Sequence, residues 1–364
     1  RGALRQQTDA CGNVTALSYD DLGRLVAQVA APGTVCATTA YTTAVLTTTY
    51  GYDEGHGDQS RSRGQLTGVS YGDGSYARSL GYNAKGQLVT ETVALAGAPQ
   101  VYTATYRYDG YDRLSATVYP DGEVLAALGF DSRGLVTGLL SSGLVTPPVQ
   151  PAVLVDKVRY DTAGRLAQLR YAPQPNGSGV WIYRYYYNWT GSDGNANGRD
   201  WGMNVGTTAD GVQVAGARYS YDTYANLTYQ AFTWPNMADT NTTFTYDDQN
   251  RVTAAYGQGF GWQPWGSLAS LGEDSYGYTA GPPHAVELLN GVARYDYDAN
   301  GNMVVRSKGV SGQEQALRWD ANNRLAQVVS SSGVTETYLY DESGQRIRQV
   351  ASIKSLRKAP VPGK

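Results

Sequence analysis

Apolar and polar positions alternate along this chain in short bursts. Runs of about six residues rich in Leu, Val, Thr and Ala are separated by clusters of Asp, Asn, Gly and Arg, which is the spacing of strands and turns. The register is clearest from 108 to 131. Tyr108-Asp109-Gly110-Tyr111-Asp112-Arg113-Leu114 makes one turn, residues 115–118 a strand, Tyr119-Pro120-Asp121-Gly122 a second turn, and residues 123–129 lead into Phe130-Asp131. In the first turn type an Asp stands at the head, where its carboxylate accepts from backbone N–H groups two residues on. A later Gly or Asn tolerates left-handed φ. In the second type the proline presets φ.

The first turn recurs. Its aromatic residue falls at Tyr19, Tyr52, Tyr82, Tyr108, Phe130, Tyr160, Tyr221, Tyr246, Tyr297, Trp319 and Tyr340, with gaps of 21 to 61 residues. A repeat of this kind decides architecture before any local chemistry does. Each copy is a two-stranded unit, and chained units give an all-β antiparallel meander of roughly 22 strands. At ~4.8 Å per strand the ribbon is about 105 Å long. A twisted sheet of that width must curl, into a spiral or barrel-like shell roughly 34 Å across if it closes once. Residues 1–350 read as one continuous array that starts mid-repeat. The long gaps mark insertions at 54–63, 147–153, 173–179 and 192–200, and residues 351–364 are a basic, Pro-containing tail. Unpaired edges of such a ribbon invite edge-to-edge self-association unless insertions or the tail cover them.

Composition narrows the function. The net charge of −3 leaves no basic field for nucleic acid. Tyr (30) far outnumbers Phe (4), and Gly (44) far outnumbers Pro (14), as suits pleated surfaces joined by positive-φ turns. No apolar run is long enough to span a bilayer. Cys11 and Cys36 either pair or stay free. With His56 and His284 far apart, no Cys/His metal cluster is expected, and no cofactor is implied.

The ordered string near the C-terminus resembles the RHS/YD-repeat family. Gly281-Pro282-Pro283-His284-Ala285-Val286 looks like the family's Gly-Pro-His-Ala-Val segment. It is followed by Tyr297-Asp298-Ala299-Asn300-Gly301, Trp319-Asp320-Ala321-Asn322-Asn323-Arg324-Leu325 and the copy at Tyr340, so that 276–350 is the most family-like stretch. The resemblance implies a ribbon spiralling into a hollow shell. In family members such shells sequester a C-terminal toxin or form extracellular scaffolds such as those of teneurins. It therefore implies a non-enzymatic wall segment of a secreted or cell-surface protein, of bacterial origin. Its partners would be its own toxin or effector domain or further repeats. The alternative is an extracellular scaffold that binds surface glycans or another cell. The family's Asp-Pro self-cleavage motif has no counterpart here, so no catalytic aspartates are carried over.

Candidate sites reduce to a few. The repeat carboxylates, such as Asp20, Asp109 and Asp161, are abundant enough to suggest glycoside hydrolysis, but their place at turn heads makes them turn caps. His284, lacking a fixed partner, is expected to pack or bond within a turn. Trp181, Tyr183, Tyr185, Tyr187 and Trp189 alternate onto one face of a strand. They form either an exposed row suited to sugar rings or the buried face of the ribbon, which we favour. The aromatic segment 259–266 poses the same choice, with a plug or cover over the sheet as its bland reading. Asp193-Gly194-Asn195-Ala196-Asn197-Gly198 mimics the start of a calcium loop, but Asn204 stands where the bidentate Glu would be.

Overall fold

The computed structural model describes residues 3–42, 44–53, 62–142, 152–171, 179–187, 198–207, 213–279 and 281–353. Within them lie 32 strands and no helix, so no helix is long and apolar enough to cross a membrane. The strands belong to antiparallel sheets of 19, 7 and 6 strands. Successive strands pair with their chain neighbours. Tyr76–Tyr82 runs against Leu88–Leu95, from Tyr76↔Leu95 to Tyr82↔Leu88, and Val14–Tyr19 runs against Leu25–Ala31. The all-β meander is as expected, with more strands than eleven repeats would supply. The excess comes from two-residue arms such as Leu288–Leu289 and Val292–Ala293, and from repeats that the Tyr-Asp signature does not flag.

The pairing shows a feature of the repeat that pattern alone hides. A register shift falls immediately before the repeat aromatic, between Ser18 and Tyr19, Gly81 and Tyr82, Ser220 and Tyr221, and Leu339 and Tyr340. An inserted residue in one strand bends it and sharpens its twist. The extra residue lies in the strand after the turn, at Val26, Val89, Thr228 and Ile347, so the alternation is broken there while the strand that ends on the aromatic keeps its own.

The chain divides into two compact units. The first comprises Arg1–Tyr102 with Gln263–Lys364, the second Thr103–Trp262. The core of the first unit is Val69, Tyr71 and Tyr76, packed by Tyr50, Leu66, Val93, Leu95, Leu339 and Ile347. The hairpin Leu66–Tyr71/Tyr76–Tyr82 thereby lies against the last hairpin, Val334–Tyr340/Arg346–Ile353. Cys11 and Cys36 are joined by a disulfide. Among the described residues of the second unit Ala116, Val155, Trp181, Ala217 and Ala255 are the buried apolar side chains.

Candidate functional site

Each signature residue of the repeat has a structural job. In the first copy Asp20 N donates to Arg24 O (3.0 Å) and Gly23 N to Asp20 O (2.9 Å). Oδ1 of Asp20 accepts from Leu22 N (3.0 Å) and Arg24 N (2.8 Å), while Oδ2 takes Arg24 Nε (2.7 Å). The same arrangement joins Asp109 to Arg113, Asp161 to Arg165, Asp247 to Arg251 and Asp320 to Arg324. Where the Arg is absent an amide replaces it, as Asn226 does on Asp222 and Asn302 on Asp298. Such bonds favour the ionised carboxylate. The backbone N–H of Arg24 is the main cause that lowers Asp20, and that of Arg251 does the same for Asp247. For Asp109 the main cause is the side chain of Arg113.

The aromatic reaches backwards along the ribbon. Its hydroxyl donates to the carbonyl of the Leu that closes the preceding turn: Tyr52 to Leu25 (3.0 Å), Tyr82 to Leu66 (2.7 Å), Tyr246 to Leu227 (2.7 Å) and Tyr340 to Leu325 (2.7 Å). The Arg reaches forward. Arg24 lies 4.5 Å from the ring of Tyr52, and Arg113 4.0 Å from that of Phe130, inside cation–π range. Where the Arg is present it ties its own Asp to the next aromatic, and such turns form the rungs of a ladder.

This ladder exposes copies that the Tyr-Asp reading misses. Tyr186 donates to Leu166 O (2.8 Å), lies 4.0 Å from the Arg165 guanidinium and carries the register shift before it. Trp262 Nε1 donates to Val252 O (2.7 Å), and Tyr278 to Leu268 O (2.8 Å). Gln263 takes the Asp position, with Gln263 N donating to Ser267 O (2.7 Å) and Gly266 N to Gln263 O (2.9 Å). The 259–266 segment is therefore neither plug nor cover. Gln258–Trp262 is a strand of a sheet, paired with Val252–Ala255. An aromatic that ends a strand, with Gly four positions on, is the signal that would have found it.

The aromatic row divides on inspection. Trp181 is 6 % exposed and stacks on Tyr183 at 6.0 Å. Tyr183, Tyr185 and Tyr187 are half-buried. Tyr185 and Tyr187 both pack on Trp201, at 5.1 and 6.3 Å, and the Tyr187 hydroxyl points to Tyr219 O (3.4 Å). Trp189 lies outside the described residues, as do residues 193–197 of the calcium-like loop, His56 and the tail beyond 353. His284 has positive φ (71°) and shares a hydrogen bond with the buried Ser267 through Nδ1 (2.6 Å), a turn-bonding role.

The first unit also carries an open polar cleft of about 670 Å³, lined among others by Asp9, Gln28, Tyr50, Tyr71, Asn322 and Glu342. It separates the first strands from the C-terminal turns, and its carboxylates are engaged. Asp9 Oδ2 accepts from Asn300 Nδ2 (2.8 Å), and Gln28 Nε2 donates to Asn322 Oδ1 (2.9 Å). Glu342 accepts from the hydroxyl of Tyr76 (2.8 Å) and from Arg78 Nη1 (2.6 Å). Burial, together with that carboxylate, pushes the Tyr76 phenol well above its usual range. Among the described residues one trio of potential metal ligands comes together, Cys11, Cys36 and Asp298 within 4.8 Å. Its two sulfurs are bonded to each other and so offer no thiolate.

With this geometry in view, the class of protein is set by fold: an all-β meander built as a ladder of aromatic–Asp turns. No protein-family model matches the chain, and no curated protein matches it. Solved structures do. A TcdB2–TccC3 complex superposes with a TM-score of 0.75 at 14% identity, covering 97% of this chain and 20% of that one. TcdB2–TccC3 without its hypervariable C-terminal region gives 0.72 at 15%, covering 98% and 19%. The Photorhabdus luminescens Tc holotoxin pore gives 0.72 at 14%, covering 95% and 18%. The chain shares the fold of these toxin proteins and spans about a fifth of their length.

Proposed function

We propose that this chain is a non-catalytic segment of a β-shell wall that encloses or presents a toxin or effector belonging to the same protein or complex. The superposition on TcdB2–TccC3 over 97% of the chain carries this reading. The ladder supports it: repeat carboxylates such as Asp20, Asp109, Asp161, Asp247 and Asp320 each pair with the Arg of their own turn. Paired carboxylates for glycoside cleavage need one another across a substrate, whereas these are committed to turns. The wall would belong to a secreted protein, with its cargo or further repeats of the same gene product as partners.

The test is protease protection of the complete gene product. A shell segment predicts further repeats and an appended domain that survives protease concentrations that degrade it when expressed alone. A product with no further repeats, or an appended domain digested at its isolated rate, would overturn the reading.

A further inference from the structure

We infer that the Cys11–Cys36 disulfide is a thiol-sensitive clasp holding the first strands of the first unit against that unit's C-terminal turns. The bond joins the turn at 9–13 to the loop at 32–42, across 25 residues of sequence. The two lie in close contact. Gly33 N donates to Asn13 Oδ1 (2.8 Å), and a Cβ on Gly33 would stand 2.2 Å from Cys11 O.

Both joined segments also touch the C-terminal turns. Cys11 N donates to Asn300 Oδ1 (2.9 Å), and Asn300 Nδ2 returns a bond to Asp9 (2.8 Å). At the other end of the loop Tyr41 N donates to Trp319 O (2.9 Å), and Ala40 forms a parallel bridge with Trp319. The loop is thus pinned covalently at Cys36 and by backbone pairing at residues 40–41. A short stretch of hydrogen bonds at a loop is weak by itself; the covalent pin keeps it in register. Elsewhere the same two parts of the unit are held by Tyr76, Arg78 and Glu342 and by the Tyr71 hydroxyl on Tyr340 O (2.9 Å). Opening the clasp should therefore free one part of the contact without dissolving the rest.

Access is one-sided. Cys11 is 1 % exposed, whereas Cys36 is half-buried. A dithiol reductant would attack Cys36 Sγ through one thiolate, breaking the S–S bond and releasing Cys11 as a thiolate that takes up a proton. The reductant's second thiol then displaces Cys36 from the mixed disulfide. Two electrons pass from the dithiol to the cystine, leaving two protein thiols and an oxidised reductant. The inference stands on this geometry alone and does not require that the wall enclose a cargo.

Amide hydrogen exchange on the full chain tests it, comparing oxidised protein, protein reduced with dithiothreitol, and Cys36→Ser. Exchange in 32–42 and 298–323 should quicken at least tenfold in the reduced and variant forms, with 104–118 of the second unit unchanged. Unchanged exchange at 298–323 on reduction would overturn the clasp. So would free thiols at both cysteines in the oxidised protein, or faster exchange throughout the chain, which would make the bond a global staple. Reduction of already folded protein keeps the test decisive if Cys36→Ser does not fold.

Discussion

Tyr76→Phe removes one hydroxyl from the most buried large side chain of the first unit, 2 % exposed. That hydroxyl donates to Glu342 Oε2 at 2.8 Å, while Arg78 holds Oε1 at 2.6 Å and reaches Glu91 at 2.7 Å. Glu342 keeps one partner after the change, so the loss is that of one hydrogen bond to a charged group, about 1.5–3 kcal/mol. The ring and its packing on Tyr71 at 5.1 Å remain, so no cavity adds to it. In a unit of about 200 residues each kcal/mol moves Tm by ~2–4 °C, so the first-unit transition should fall by roughly 3–12 °C. Calorimetry near pH 7, following each unit's transition, measures this. The pH dependence supplies a second check. The folded pKa of Tyr76 is raised by burial and by Glu342, so its stabilisation is complete below the unfolded value of about 10 and is lost as pH rises beyond it. The gap between wild type and Tyr76→Phe should hold from pH 6 to 9 and shrink above pH ~10. A variant transition within ~1 °C of wild type at pH 7, or a gap that does not narrow in alkali, would refute the reasoning.

Three further outcomes follow from the turns. Ala225 sits at φ 76° in the turn position that Gly23, Gly164 and Gly344 fill elsewhere; Ala225→Gly should stabilise the second unit by about 1 kcal/mol, seen as a Tm rise of ~2–4 °C, and a fall would contradict the strain argument. Gly33→Ala would place its Cβ 2.2 Å from Cys11 O and 2.3 Å from Gly12 C; since both are backbone, the variant should fold poorly or retain free thiols by Ellman assay, and a stable, fully oxidised variant would show that the loop has room. Asp20, Asp109, Asp131, Asp161, Asp222 and Asp247 all have lowered pKa values, so their contribution is present above the unfolded value of ~3.9 and lost as pH falls through the lower folded values. Tm should be flat above pH ~5 and drop below ~4, and a Tm unchanged at pH 3 would remove the carboxylates from the stability of the ladder.

The part of this fold that consecutive residues specify is local. The strand-and-turn period, the Asp at each turn head and the left-handed position after it follow from bonds between residues two to four apart, such as Leu22 N and Arg24 N on Asp20, and chemistry at that range is written in consecutive letters. Alternation along a strand is equally local and placed Trp181 and Tyr183 on one face, but which face is buried was not written in it. The ladder was only half legible. Tyr186, Trp262 and Tyr278 perform the role of the repeat aromatic without an Asp behind them, and their partners are carbonyls 10 to 20 residues upstream. The remaining contacts are long-range: Cys11 meets Cys36, Arg78 finds Glu342 across 264 positions, and Asn300 finds Asp9 across 291. Turn patterns do not encode such meetings. They arise because residues 1–102 and 263–364 pack into one compact unit although the second unit's residues separate them in sequence, and no bond between near neighbours specifies which of their turns meet.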